Sequence, residues 1–254
     1  MLPIAGLPQG HVDVPECVSA LAAGRTITAV WRNDLDGRTF RLGEGPAAEY
    51  VKWAPHGVRL DLLGEIARLS WAGSYTPVPR VVDHGEDPDG RWLRTVALPG
   101  RSAVDPRFQA DPRPAVIAAG HGLRALHDAL PVADCPFEWS VTQRIARSGA
   151  DDDTVAALGP RPEPDRIVVC HGDPCTPNTI VGEDGQWVGH VDLDTLGIAD
   201  RWADIAVATM ALGWNFGDGW ESLFLDAYGI APDPERTRWY RALWNLGDGA
   251  LPRD

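Results

Sequence analysis

The stretch His171-Gly172-Asp173-Pro174-Cys175-Thr176-Pro177-Asn178, followed by Val191-Asp192-Leu193-Asp194, decides the fold. Arg166–Cys170 (RIVVC) is a short, continuous apolar run, the pattern of a buried strand, and it delivers Asp173 into a loop. Asn178 stands at the loop's exit. A hairpin is predicted next: Asn178–Val181, a turn through Gly182-Glu183-Asp184-Gly185, then Gln186–Val191, with Asp192 at the end of the second strand. Oxygen ligands thus converge from one short β-unit. Phosphoryl transfer needs such a set: one carboxylate to orient the attacking hydroxyl and accept its proton, and hard oxygen donors for magnesium. A loop with a capping Asp and a turn Asn is the plainer alternative. It suits a lone HGD triplet better than this combination.

Working outward, the first third reads as strands. Thr26–Trp31 and Arg38–Leu42 flank the polar turn Asn33-Asp34-Leu35-Asp36-Gly37, and Ala48–Trp53 is a third candidate with Lys52 near its end. Asp61–Trp71 carries Leu62, Leu63, Ile66 and Leu69 at helical spacing, with Glu65 on the same segment. Pro79–Val82 and Trp92–Val96 are two more strands. Leu98-Pro99-Gly100 then punctuates the chain, and helical periodicity takes over: Ala115–Leu130, Trp202–Leu212, Trp220–Tyr228 and Pro234–Leu246. The expected domains are 1–97, a β-rich N-lobe with one helix and a hinge, and 98–254, a mainly helical C-lobe. Together they predict an α+β chain of two lobes with a ligand cleft at the junction.

Composition narrows the partners. With 254 residues, 44% hydrophobic and 23% charged, the chain can bury a full core. The formal charge of −13 disfavours nucleic acid and anionic membranes and suits a cationic small molecule. Cys17, Cys135, Cys170 and Cys175 form no CxxC pair, so free thiols in a reducing cytosol are expected. Met1–Gly10 has no signal-peptide pattern, and no run approaches the ~20 apolar residues of a membrane span. The expected location is cytoplasmic, as a monomer or weak dimer.

The pattern HGDxxxxN, then a hairpin, then VDLD, then Gly197–Ala206 (GIADRWADIA), resembles the aminoglycoside phosphotransferase family, kinase-like enzymes acting on small molecules. Val168–Asp173 and Leu130–Pro136 are similar to segments of its 3'-phosphotransferase branch. The resemblance implies a bilobal protein-kinase-like fold and an ATP- and Mg2+-dependent transfer, with GTP as an alternative donor. It implies that Asp173 is the catalytic base, that Asn178 and Asp192 hold magnesium, and that Lys52, paired with Glu65, contacts the α- and β-phosphates. Thr95 and Ala97 would bond adenine from a hinge at Thr95-Val96-Ala97, and the Asn33–Gly37 turn would cover the phosphates. His171 would be a structural hydrogen-bonder, and Asp204 would anchor the catalytic loop from the following helix. Acidic substrate contacts are expected from Asp151, Asp152, Asp153, Asp218 and Glu221, although a solvated loop accounts equally for the 151–153 run. Trp214 and Trp220 belong to the core or touch substrate.

The departures concern substrate. Asp194 replaces the glycine expected after Asp192, and Thr195 replaces an arginine. Near the chain end, Leu243-Trp244-Asn245-Leu246-Gly247 places Asn245 where a glutamate is expected. A neutral amide loses a charge-assisted bond to an ammonium, roughly twice as strong as a neutral one. The leading expectation is an aminoglycoside O-phosphotransferase acting at the 3'-hydroxyl. The alternatives are a kinase of another small hydroxylated molecule and a nucleotide-binding module without catalysis.

Overall fold

The computed structural model describes residues 8, 10–33, 36–58 and 60–246, and these divide into two compact units. One comprises 1–74 and 78–99, the other 75–77 and 100–254.

In the first unit, β-branched and aromatic residues build a sheet, and short polar turns return the chain. A helix α1 (Glu16–Ala22), not anticipated from sequence, precedes the strands β1 (Ile27–Arg32), β2 (Arg38–Leu42) and β3 (Glu49–Pro55). Helix α2 (Leu62–Ala72) follows, then β4 (Val81–Glu86) and β5 (Gly90–Val96). The antiparallel sheet runs β1-β2-β3-β5-β4. The β1–β2 turn closes through Gly37 N–H donating to Asn33 Oδ1 (2.6 Å), with Asp36 at φ +62°. Asp34 and Leu35, part of the expected phosphate cover, lie outside the described residues. Val18, Ala22, Phe40, Leu42, Val51 and Trp53 form the core, where full burial of one such side chain is worth about 1.5–3 kcal/mol. The seven residues of α1 are too few to show a period, which is why it escaped the sequence pattern.

The second unit opens with β6 (Arg101–Ser102), α3 (Pro106–Ala110) and the long α4 (Arg113–Ala129). Next come α5 (Val141–Ser148), α6 (Asp152–Ala156), β7 (Ile167–Cys170), β8 (Thr179–Val181), β9 (Trp187–His190) and β10 (Gly197–Asp200). Helices α7 (Trp202–Phe216), α8 (Glu221–Tyr228) and α9 (Pro234–Asn245) close it. β7 pairs with β10, while β6, β8 and β9 make a separate small sheet. Trp202, Ile205, Phe224 and Tyr228 anchor a core shared by α4, α7, α8 and α9.

Four sequence expectations need correction here. The Asp151–Asp153 run is not a loop: Asp151 caps α6, accepting from Thr154 N–H (2.8 Å), and Asp152 and Asp153 fill its first turn, where acids favour the helix dipole. Asp192 is not in a strand, because β9 ends at His190. α7 runs past Leu212 to Phe216 and stops at Gly217, φ +78°. The fourth strand begins at Val81 and extends to Glu86, leaving Pro79 outside it. Of the expected altered chain end, 247–254 lie outside the described residues.

Candidate active site

The loop after β7 takes its shape from one carboxylate. Asp204, in the first turn of α7 and fully buried, accepts the His171 N–H at Oδ2 (2.6 Å) and the Gly172 N–H at Oδ1 (3.0 Å). His127 of α4 donates Nε2–H to the same Oδ2 (3.0 Å), and its Nδ1 bonds the Tyr228 hydroxyl (2.8 Å). Burial alone would push the Asp204 carboxyl up, but the His127 bond, nearby histidine charge and the Gly172 N–H hold it below the ordinary carboxylate range. Gly172 sits at φ +89°, and a Cβ there would lie 2.3 Å from the Thr195 carbonyl oxygen, so only glycine lets the loop pass. His127 carries no motif and was missed in sequence. A histidine on the apolar face of α4 was its only signal.

His171 ties this loop to the next hairpin. Its Nδ1 accepts the Asp173 N–H (3.3 Å), which puts the ring proton on Nε2, and Nε2 meets the Val191 carbonyl (3.0 Å). The Val191 N–H in turn donates to the Asn178 carbonyl (3.0 Å). Asn178 and the residue before Asp192 are therefore locked side by side. Asp192 follows in a left-handed conformation, φ +65°, uncommon for a non-glycine residue and typical of functional positions.

Asn178 Nδ2 donates to the Asp173 carbonyl (2.9 Å) and to Asp173 Oδ2 (3.2 Å). This leaves the amide oxygen for another partner. Asp173 Oδ1 is buried and has no hydrogen-bond partner. Burial pushes the Asp173 carboxyl above its ordinary range; the Cys175 thiol opposes this and the Asp192 charge adds to it. A carboxylate with one clamped oxygen and one orphaned oxygen is set up to accept a proton from something that enters. The amide oxygen of Asn178 and the Asp192 carboxylate are hard donors, and the Asp192 charge already acts on Asp173, so the set fits a divalent cation.

In the β-rich unit, Lys52 on β3 donates to both oxygens of Glu65 (2.7 and 2.8 Å). Asp61 caps α2 through Gly64 N–H (2.9 Å) and so sets the turn that carries buried Glu65. Of the expected adenine contacts, one backbone donor is already engaged. Thr95 lies mid-sheet, opposite Tyr50 on one side and Val81 on the other, and the Ala97 N–H already donates to the Ala48 carbonyl (3.0 Å). The next backbone donor along the chain is Leu98.

The substrate-side candidates are less concerted. Glu221 and Asn245 line a groove of about 980 Å³ with Thr154, Thr237, Arg238 and Arg241. Arg241 pairs with Glu221 (3.1 Å) and with Thr209 Oγ1 (2.9 Å). Asp218 is exposed beyond α7, and Asp152 and Asp153 are exposed on α6. Trp214 is 59% exposed, and Trp220 donates to the Phe216 carbonyl (3.3 Å). Arg241 had no sequence signal, since a helical arginine is ordinarily a solvated one.

A β-sheet unit with a strand lysine locked to a helix glutamate, and a helical unit carrying Asp173, Asn178 and Asp192 on one loop and hairpin, define a protein-kinase-like phosphotransferase. The chain belongs to the phosphotransferase enzyme family, whose sequence model matches residues 27–240. It is 36% identical over 251 residues to an aminoglycoside 3'-phosphotransferase of Streptomyces fradiae, covering 85% of this chain and 92% of the relative. A crystal structure of an aminoglycoside-3'-phosphotransferase of type VIII superposes with a TM-score of 0.72 at 32% identity, covering 90% and 97% of the two chains. Aminoglycoside phosphotransferase APH(3'')-Id of Streptomyces rimosus, in complex with ADP and streptomycin, superposes at 0.64 with 28% identity over 83% and 90%. Among the described residues, no helix is long and apolar enough to cross a membrane.

Proposed function

We propose that the chain transfers the γ-phosphoryl group of ATP to the 3'-hydroxyl of an aminoglycoside in the cytoplasm. The observation that carries this is the Asp173 carboxylate, with Oδ2 clamped by Asn178 and Oδ1 buried without a partner. The substrate hydroxyl donates to Oδ1, which orients it in line with the γ-phosphorus. As the new O–P bond forms and the bond to the β,γ-bridging oxygen breaks, the hydroxyl proton passes to Asp173. Its raised pKa suits a proton acceptor. Asn178 and Asp192 would hold Mg2+, which when bound neutralises charge on the phosphates. Lys52, fixed by Glu65, pairs with the α- and β-phosphates, and the Leu98 N–H replaces Ala97 as adenine's partner. The aminoglycoside relatives support the substrate class.

A second reading keeps this chemistry with another hydroxyl or another small polar molecule. The self-satisfied substrate-side carboxylates favour it: Asp151 caps its own helix and Glu221 is paired with Arg241. ATP consumption across kanamycin-, neomycin- and streptomycin-type substrates separates the two, with the product's phosphorylated position read by NMR. Turnover of kanamycin at the 3' position that disappears in Asp173→Ala is the expected result. Turnover of streptomycin alone selects the second reading, and ADP binding without turnover on any of the three overturns the first.

A further inference from the structure

Away from Asp173, the wall between α5, β10 and α9 encloses a cavity of about 210 Å³, several times the ~30 Å³ share of a water molecule. Its lining is rich in hydrogen-bond donors. Arg144 of α5 is only 6% exposed, and its Nη1 is buried without a hydrogen-bond partner. The neighbouring Trp139, 8% exposed, leaves its Nε1–H unpartnered as well. The guanidinium is held between the rings of Trp139 (5.2 Å) and Trp244 (5.6 Å), which steady it and supply no acceptor. Burial presses against its charge, yet an arginine stays protonated in proteins.

The two carboxylates in the lining do not relieve this. Asp200 already accepts the Asp165 N–H (2.5 Å) and the Trp202 N–H (2.8 Å), and Glu138 is exposed. Arg161 adds a second cation at the wall. The Asp204 carboxylate offsets the guanidinium's charge through space without hydrogen-bonding it, so Arg144 Nη1 and Trp139 Nε1 remain two buried donors with no acceptor, which is expensive unless something with acceptor oxygens completes them.

We infer that this cavity is a binding site for a small oxyanion, a carboxylate or a phosphate group, received by Arg144 Nη1 and Trp139 Nε1. The guanidinium's planar fork matches either oxyanion, and the indole N–H adds one further donor. The site needs neither Asp173 nor a nucleotide, so it stands or falls apart from the proposed transfer.

Calorimetric titration of the full chain, with ADP present to fill the nucleotide site, tests it. Sodium acetate and sodium phosphate are compared at ionic strength matched with sodium chloride. Saturable one-to-one binding of at least one anion is expected, and the tighter of the two tells a carboxylate site from a phosphate site. Arg144→Gln should lose the binding. Trp139→Phe keeps the ring, removes only the N–H, and should weaken binding about tenfold, which decides the matter if Arg144→Gln does not fold. Absence of saturable binding to the wild type, or equal binding in every variant that folds, overturns the assignment.

Discussion

The loop and hairpin from His171 to Asp192 and the groove lined by Glu221 and Asn245 solve opposite problems. In the first, short bonds cross-brace the loop backbone and its two flanking histidine and asparagine side chains, and leave the reacting carboxylate with one oxygen, Asp173 Oδ1, unpartnered. In the second, the candidate carboxylate Glu221 is occupied by Arg241, and Asp151, on the α6 helix that lends Thr154 to the groove, is occupied by its own helix. A site that must hold a reacting atom is rigid and incomplete. A site that grips a flexible polar molecule can be composed of locally satisfied parts, whose exchange alters affinity and not chemistry.

Asp173→Asn should break the first region hardest. It keeps the shape, removes the proton acceptor, and should lower kcat by about 10²–10⁴ with little change in melting temperature. In the wild type, the acid limb of the kcat profile should fall at a higher pH than an ordinary aspartate would give, because the Asp173 carboxyl is raised and the ionised form is needed. A limb at the ordinary position would remove Asp173 from the role of base.

Asp204→Asn attacks the bracing. It replaces a buried charged acceptor of two loop N–H groups and the His127 bond, and should cost about 2–4 kcal/mol in denaturant unfolding as well as activity. The sign of its pH dependence is fixed. The folded carboxyl is depressed, so its stabilisation is complete above the unfolded pKa and is lost as pH falls through the folded one. The wild type should therefore lose a stabilising increment below about pH 4 that Asp204→Asn never had.

In the second region the effects are smaller. Asn245→Glu restores a carboxylate to the groove and should lower the KM for kanamycin by up to about tenfold at unchanged kcat. Asp151→Ala should cost about 1 kcal/mol of stability, as a lost helix cap, and leave KM where it was. A large KM change in Asp151→Ala would show that the cap doubles as a substrate contact and would blur the contrast between the regions.

The fold was legible where periodicity is long or punctuation strong. β2 (Arg38–Leu42) appears with the bounds its alternation suggests, and α4 and α9 fall within two residues of expectation. The short α1, α3 and α6 were invisible, since five to seven residues carry too little pattern, and α5 was missed although α8, of the same length, was expected. In the site, Asp173, Asn178 and Asp192 stood out because their spacing is local. His127, Arg241 and the occupied Ala97 N–H were hidden, because each is defined by a partner distant in sequence: Asp204, Glu221 and Ala48.

The Asp204 carboxylate stands 31 positions after Asp173, inside a helix whose first eight residues are all buried, so that its stability rests on tertiary packing. The loop that presents Asp173 thus cannot take its working shape until α7 is in place. Assembly and competence are one event: a chain caught midway in folding, or cut before Trp202, would hold the reacting residues in sequence but not in register.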